Sequence, residues 1–429
     1  MVISGTYLLC LIQLLERYAF YVLNVFLTLY CVTPEAQGGL GWENTRALEF
    51  YGICFGSIHL MPLIGGLVSD RILGSKLAVL WGQVCSIFGY LLLATQQDLF
   101  FYIGLGLIGI GYGLFKPSVI HLISCFYSKN DPKYDQTFNF FYASATAGVF
   151  FATLVGGWMQ AYHGFVTLYQ VTAVFLCIGL LFYLVAYKKM KFLQEPDQKD
   201  NASKELSSST DTQNTLFLIL ILTFAVLFYA VHQGGGNLAS LYLQQNADRV
   251  IYGYEWPVGW ILSVAVLLTL SLSIAAGFTW KWLTQKGRHI NSIRKMALGF
   301  IATAICYSFL LPPSLVTDQN PFLKTNLQWF IGFNIGFSFA KVLVNPTMWS
   351  LFNRFAPKKH QALYLGASFI CMSLGNWLSG WLCSYLNQMG YAGVFGIMII
   401  MMFICFLILA MIQNPVKRWL VKTGQSLQF

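Results

Sequence analysis

Charge is the commodity this chain lacks. Asp, Glu, Lys and Arg together make up 10% of its 429 residues, against about a quarter in a soluble globular chain. With 57% hydrophobic residues, including 36 Phe and 12 Trp, no soluble core could hide the apolar surface, which excludes a water-soluble enzyme or binding module. The sequence has no nucleotide-binding Gly-rich loop followed by Lys and Ser or Thr, which argues against an ATP-driven pump. No nucleophile and base cluster near one another, so a membrane-embedded enzyme acting on lipid-linked substrates is not expected either. The ten Cys fall singly, mostly within apolar runs (Cys10, Cys54, Cys85, Cys177, Cys306, Cys371, Cys405). None has metal-ligand spacing, so they read as small packing residues, and no metal or cofactor is expected. The first apolar run is not read as a cleaved signal peptide. No Lys or Arg precedes it, and it holds Glu16 and Arg17 at its centre.

Long apolar windows are abundant. About 20 apolar residues cross a bilayer as a helix, and twelve such windows occur, at 5–31, 46–69, 76–97, 99–127, 137–161, 165–187, 214–243, 256–283, 293–313, 325–350, 361–387 and 392–413. Residues 188–213, KKMKFLQEPDQKDNASKELSSSTDTQ, are charged and Ser-rich with no apolar stripe, the composition of a linker. The expectation is therefore an all-α polytopic membrane protein of twelve transmembrane helices in two six-helix bundles, 1–187 and 214–429, joined by a cytoplasmic linker at 188–213. A six-plus-six division suits a transporter built from paired halves. The net charge of +10 reports topology rather than a nucleic-acid partner. Of 26 Lys and Arg, twenty lie in alternate loops and tails, whereas the opposite loops hold Arg46, Arg249 and Lys324. The positive-inside rule then places both termini in the cytoplasm, and a bacterial inner membrane and a monomer are expected.

Four charged side chains lie deep in apolar segments: Glu16, Arg17, Lys116 and Lys341. Charge inside a bilayer marks substrate or proton pathways by default, and three cations to one acid suggest an anionic guest. Positions i, i+3/i+4, i+7 and i+11 share a helix face. On that spacing the first span shows Gln13, Glu16/Arg17, Phe20/Tyr21 and Asn24, and the fifth shows Asp135, Asn139, Tyr142 and Thr146. The seventh shows Tyr229, His232/Gln233, Gly236/Asn237 and Ser240, and the tenth shows Asn334, Ser338, Lys341 and Asn345. These faces are expected to line a wet cavity between the bundles. The competing reading, hydrogen bonds that only hold helices together, fits the Asn and Ser residues but not Lys341. His232 stays open between a structural residue and a proton carrier, since imidazole titrates near neutral pH. GLGLIGIGYG (104–113) supplies small residues for close helix packing, with Lys116 and Pro117 following.

Several stretches resemble a known family. GGLVSDRILGSK (65–76) is similar to the G-x-x-x-D-R-x-x-G-R/K loop of the major facilitator superfamily, which places Gly66, Asp70, Arg71 and Gly74 as a gating or structural motif. QLLERYAFY (13–21), GLFKPSV (113–119) and DQTFNFFYASATAG (135–148) resemble the E-x-x-E-R-F-x-Y-Y, G-x-F-K-P and D-S-G-F-x-x-F-Y-x-x-I-N-x-G signatures of its proton-dependent oligopeptide (peptide/nitrate) transporters. HQGGGNL (232–238) and KVLVNPTMWSLFNRFAP (341–357) stand where that family has E-Q-x-G-S-S-L and E-L-x-x-S-P. The resemblance implies the major facilitator fold and proton-coupled uptake of small peptides by alternating access. It implies that Arg17 and Lys116 hold the peptide carboxylate, that Tyr21, Thr146 and Asn345 belong to the same pocket, and that Glu16 couples protons, with His232 as a second candidate.

The departures matter as much. The family's first Glu is Gln13, its Asn is Thr146, its seventh-span acid is His232 and its tenth-span Glu is Lys341. A Glu–Lys pair has become Lys–Lys, which at about 4 Å turns an attraction of ~1–4 kcal/mol into a similar repulsion. An anionic group bridging two cations removes that penalty, so a solute more anionic than an ordinary dipeptide is expected. Loss of three acids also keeps open a proton-independent anion exchanger or a transporter-like sensor.

Overall fold

A computed structural model describes residues 2–125, 132–189, 209–286, 291–355 and 361–422. The first half comprises α1 (Val2–Val32), α2 (Asn44–Val68), α3 (Gly74–Leu93), α4 (Asp98–Ser124) and α5 (Pro132–Lys189). The second comprises α6 (Ser209–Tyr229), α7 (Gly235–Asn246), α8 (Val258–Gln285), α9 (Ser292–Ser308), α10 (Leu311–Gln319), α11 (Gln328–Phe355), α12 (Gln361–Cys383) and α13 (Leu386–Lys422). Eight continuous helical stretches are long and apolar enough to cross a membrane. Two of these each hold two long helices, divided near Gly74 and at Gly164, making ten, and α11 and α12 bring the long helices among the described residues to twelve. The protein is an all-α polytopic membrane protein. Most of the linker expected at 188–213 lies outside the described residues, and its two ends are helical, in α5 and α6.

The helix breaks follow from backbone chemistry. Gly164 has φ 79° and ψ 179°, and Gly390 has φ 66° and ψ 179°. That region is essentially closed to residues with a Cβ, so Gly164 ends one long helix and starts the next, and Gly390 separates the opening turn of α13 from its long segment. Gly390 carries a further constraint. Asp318 of α10 accepts hydrogen bonds from the amides of Tyr391 (3.1 Å) and Ala392 (2.7 Å), capping the restarted helix, and a Cβ on Gly390 would run into that carboxylate. Around Gly164 a Cβ would meet open space. Gly164→Ala should therefore cost backbone strain alone, about 1–3 kcal/mol, whereas Gly390→Ala adds a clash and the loss of the cap. Thermal denaturation of the two purified variants should rank Gly390→Ala clearly below Gly164→Ala.

The ninth window, expected at 293–313, ends early. Pro312 and Pro313 lack the amide hydrogens that would extend α9, so the chain turns after Ser308 and restarts as α10 with prolines in its first turn. Two short strand pairs were not foreseen. Ala247–Asp248 runs parallel to Thr325–Asn326, and Val250–Ile251 pairs antiparallel with Tyr254–Glu255.

Contacts divide the chain into two compact units. Unit 1 is Met1–Asn201 with Pro257–Ser263, and unit 2 is Ala202–Trp256 with Val264–Phe429. In unit 1 the core is built where α3 and α4 cross. A Cβ on Gly89 would stand 2.7 Å from the Gly104 carbonyl, and one on Gly82 would stand 2.8 Å from the Gly111 carbonyl. Gly106 of the same glycine run faces open space, so only part of that run serves packing. Below the crossing, Leu9, Ile12, Val79, Phe115, Val119, Leu122 and Tyr183 pack together. Large apolar side chains such as Phe278 and Trp282 on α8 and Met411 on α13 stay exposed, the surface expected toward lipid tails, which are as apolar as a leucine.

Candidate functional site

In unit 1 the mid-helix charges of α1 are spent on each other. Arg17 Nε donates to Glu16 Oε2 at 2.7 Å and Nη2 donates to Oε1 at 2.6 Å, with both residues buried. This is a two-pronged, charge-assisted pair. The guanidinium also lies over the rings of Phe20 (4.6 Å) and Tyr112 (5.2 Å), which stack on each other at 4.5 Å. Aromatic faces attract a cation, so the pair and the rings fix the guanidinium together. His59 of α2 closes the edge, 5.9 Å from Phe20 and 6.2 Å from Tyr112, with Nδ1 held 2.7 Å from the Phe55 carbonyl.

Lys116 stands one helical turn beyond Tyr112 on α4, half-buried and within Coulombic range of both Arg17 and Glu16. Two cations and one anion leave this cluster at +1 when Lys116 is charged. On the far side α5 presses directly on α1, since a Cβ on Gly148 would stand 2.8 Å from Arg17 Cβ and 3.0 Å from the Tyr18 amide. Tyr21 is half-buried with its ring edge-on to Phe20.

Other members of the two stripes in unit 1 have local partners. Thr146 Oγ1 donates to the Tyr142 carbonyl of its own helix at 3.1 Å, and Asn24 Nδ2 donates to Tyr51 Oη at 2.8 Å. Gln13 is fully enclosed, and its amide nitrogen and oxygen have no partner among the described residues; the same holds for Gln83 of α3. The side chains of Asp135 and Asn139 lie outside the described residues. Glu16, Arg17 and Lys116 are thus brought together, with Tyr21 beside them, and Thr146 is turned to its own backbone.

The loop motif is a π-turn, Ser69–Leu73, ended by Gly74 at φ 73°. Asp70 and Arg71 are exposed and form no ion pair among the described residues, while Gly66 sits 3.8 Å from Pro117 by the Cβ it lacks. Ser69 Oγ accepts from Ser118 Oγ at 2.9 Å, and Ser75 Oγ bonds His121 Nδ1 at 2.9 Å, tying the loop to α4.

In unit 2 the HQGGGNL segment is a π-turn, Ala230–Gly234, leading into α7. Such bulges free a backbone carbonyl and concentrate at functional sites. Here Tyr307 Oη donates to the Val231 carbonyl at 2.8 Å. Three successive glycines then meet three different helices: a Cβ on Gly234 would overlap Ser379 of α12, one on Gly235 would strike Tyr307 of α9, and one on Gly236 would stand 3.0 Å from Phe337 of α11. His232 is buried, its ring 3.8 Å from Phe337 and perpendicular to it. Its Nε2 has no hydrogen-bond partner among the described residues.

Lys341 lies one turn beyond Phe337 on α11, half-buried and within Coulombic range of His232. Asn345, a further turn on, has a buried Oδ1 without a partner. Ser338 Oγ donates to the Ala265 carbonyl at 2.9 Å and Ser240 Oγ to the Gly236 carbonyl at 2.9 Å, so these hydroxyls serve the helices. Gln233 Oε1 accepts from Asn376 Nδ2 at 2.8 Å. His232 and Lys341 therefore share a locus that Asn345 extends.

Sequence spacing had not singled out Tyr112, Phe337 or His59. The first two stand four residues before Lys116 and Lys341, so helical periodicity could have found them; His59 carried no such signal. No group of three or more His, Cys, Asp or Glu positioned for a metal occurs among the described residues.

Peptide transporter YePEPT of Yersinia enterocolitica is 22% identical over 488 residues, covering 97% of this chain and 95% of the relative. A crystal structure of peptide transporter POT in complex with sulfate aligns with a TM-score of 0.86 at 19% identity, covering 97% of this chain and 95% of that one. A POT family transporter in complex with 5-aminolevulinic acid gives 0.84 at 19% identity, with 96% of each chain covered. The family model of the Major Facilitator Superfamily matches residues 9–379, and this chain belongs to that superfamily.

Proposed function

We propose that this protein is a proton-coupled secondary transporter that takes up small oligopeptides, or a related more anionic solute, by alternating access. It would act as a monomer in a bacterial inner membrane with both termini cytoplasmic. Two relatives, matched over 97% and 90% of this chain, are named as a peptide transporter and as a dipeptide and tripeptide permease. The observation that carries the reading is the buried Glu16–Arg17 fork with Lys116 beside it.

The chemistry follows from that fork. While Glu16 is ionised it occupies both donor prongs of Arg17. A proton on Glu16 removes the charge that holds the guanidinium, and a buried cation without its partner is unstable by about 3–5 kcal/mol. A solute carboxylate can take the vacated prongs, because it offers the same two-oxygen geometry. Lys116 adds a second positive charge to the same anion, and Phe20, Tyr21 and Tyr112 wall the guanidinium. Proton and carboxylate thus enter together. His232 is a second place for a proton.

Proteoliposomes loaded with a pH-sensitive dye test the reading. Addition of dialanine outside should acidify the lumen, and a protonophore should abolish accumulation. The replacement of family acids by Gln13, His232 and Lys341 favours a second reading, an exchanger that moves solute without protons. In that case uptake proceeds with no acidification and ignores the protonophore.

A further inference from the structure

We infer that unit 2 carries an anion-binding site at Lys341 and His232, so that the part of the solute received by this unit is negatively charged. This deepens the transport reading and rests on it for the identity of the guest.

The first support is the local charge balance. Among residues of unit 2 with described side chains the acids are Asp248, Glu255 and Asp318, all exposed. Glu255 is paired with Arg249 at 2.5 Å, and Asp318 is occupied by the Tyr391 and Ala392 amides. From residue 319 to residue 429 the sequence contains no Asp or Glu at all. Among the described side chains of unit 2, no carboxylate is therefore placed to neutralise Lys341, and Lys341 forms no ion pair among the described residues.

The second support is geometry. Phe337 packs against both His232 and the bare face of Gly236, which holds the imidazole against α11 at the residue one helical turn before Lys341. The ring's Nε2 is enclosed and unpartnered. A buried polar nitrogen without a hydrogen bond costs free energy until a partner arrives, and a protonated Nε2 donates to an oxyanion. A lysine ammonium and an imidazole N–H make a pair of donors for a carboxylate, sulfate or similar group. Asn345 Oδ1, also enclosed and unpartnered, is an acceptor, which suits an amide N–H next to that anion. An ammonium at this place would instead meet Lys341 with like charge and be repelled. The favoured chemical class is therefore an acid-bearing peptide or a compact dianion with an N–H nearby, bound more tightly than a neutral zwitterionic dipeptide.

The test uses the purified full-length protein and three probes: L-alanyl-L-alanine, L-alanyl-L-glutamate and inorganic sulfate. A ligand that binds only the folded state raises its apparent stability. In the wild type, alanyl-glutamate should reach half of its maximal thermal shift at a concentration about 10-fold below that of alanyl-alanine. Lys341→Gln should abolish this difference, and Lys341→Glu should reverse it. Alanyl-alanine binding as well as or better than alanyl-glutamate in the wild type overturns the inference, as does an acid preference that survives Lys341→Gln. Should Lys341→Glu fail to fold, the wild type and Lys341→Gln decide. A failure of the transport reading looks different: neither dipeptide shifts stability or is taken up. The anion site is then judged on sulfate, whose stabilisation must be lost in Lys341→Gln for the site to stand.

Discussion

Glu16→Gln should leave exchange of labelled solute across the membrane within about 3-fold of wild type while concentrative, proton-driven uptake falls about 100-fold. The amide keeps the volume of the carboxylate and can still accept one hydrogen bond from Arg17, so α1 retains its packing. It cannot bind and release a proton, and it no longer supplies the charge that closes the fork at 2.6 and 2.7 Å. The free energy that proton binding redirects is the cost of separating a buried pair, about 3–5 kcal/mol. At about 1.4 kcal/mol per tenfold this corresponds to at least 100-fold.

The companion variant separates coupling from folding. Arg17→Gln strands the Glu16 carboxylate in a buried site and should lower both solute binding and the midpoint of thermal unfolding. Counterflow and gradient-driven uptake, measured side by side in proteoliposomes, distinguish the two. Equal loss of both activities in Glu16→Gln would show that Glu16 binds solute or holds the helix and has no role in coupling.

The largest structural effect is expected at Gly234→Ala. The new methyl overlaps both Oγ and Cβ of Ser379. Rotation of the hydroxyl relieves the first clash but not the second, so the π-turn and α12 must move apart. Overpacking of this kind costs typically 1–3 kcal/mol and occasionally more, and here the neighbouring residues cannot yield. Gly235 and Gly236 are set against Tyr307 and Phe337 on the adjacent faces. A loss of about 3 kcal/mol is expected, seen as a lower unfolding midpoint and a smaller monodisperse fraction in detergent. Ser379→Gly in the same chain should restore most of it. Absence of rescue would place the damage in the π-turn's own backbone and not in its contact with α12.

The long helices were legible because crossing a bilayer demands length and apolarity together, and nothing else in the chain satisfies both. The window at 99–127 became Asp98–Ser124, and the one at 165–187 begins just after Gly164. Where the prediction missed, the cause lies in partners remote in sequence or in backbone chemistry. Ala247–Asp248 becomes a strand only because Thr325–Asn326 lies beside it. The π-turn at Ala230–Gly234 reflects the fit of three glycines against three helices.

At the site, Glu16, Arg17 and Lys116, singled out by charge, come together in unit 1, yet the Glu16–Arg17 bond was not foreseen. Adjacent residues on a helix point about 100° apart and do not normally face each other. The long guanidinium arm folds back over Phe20 and closes that angle. The polar stripe on α11 divides in a way that periodicity could not resolve. Ser338 is committed to the Ala265 carbonyl, whereas Asn345 has an enclosed oxygen to spare.

Glu16 is the one Asp or Glu buried among the described residues, and that scarcity limits the driving force. A guest of net charge −1 that travels with one H⁺ crosses electroneutrally and feels only the pH difference. A guest of charge −2 with the same single H⁺ carries current outward in sign, and each 100 mV of inside-negative voltage opposes its entry by about 2.3 kcal/mol. Accumulation of doubly charged acids would then depend on a second ion, riding on His232 or on the guest itself, and voltage-clamped vesicles would register that stoichiometry directly.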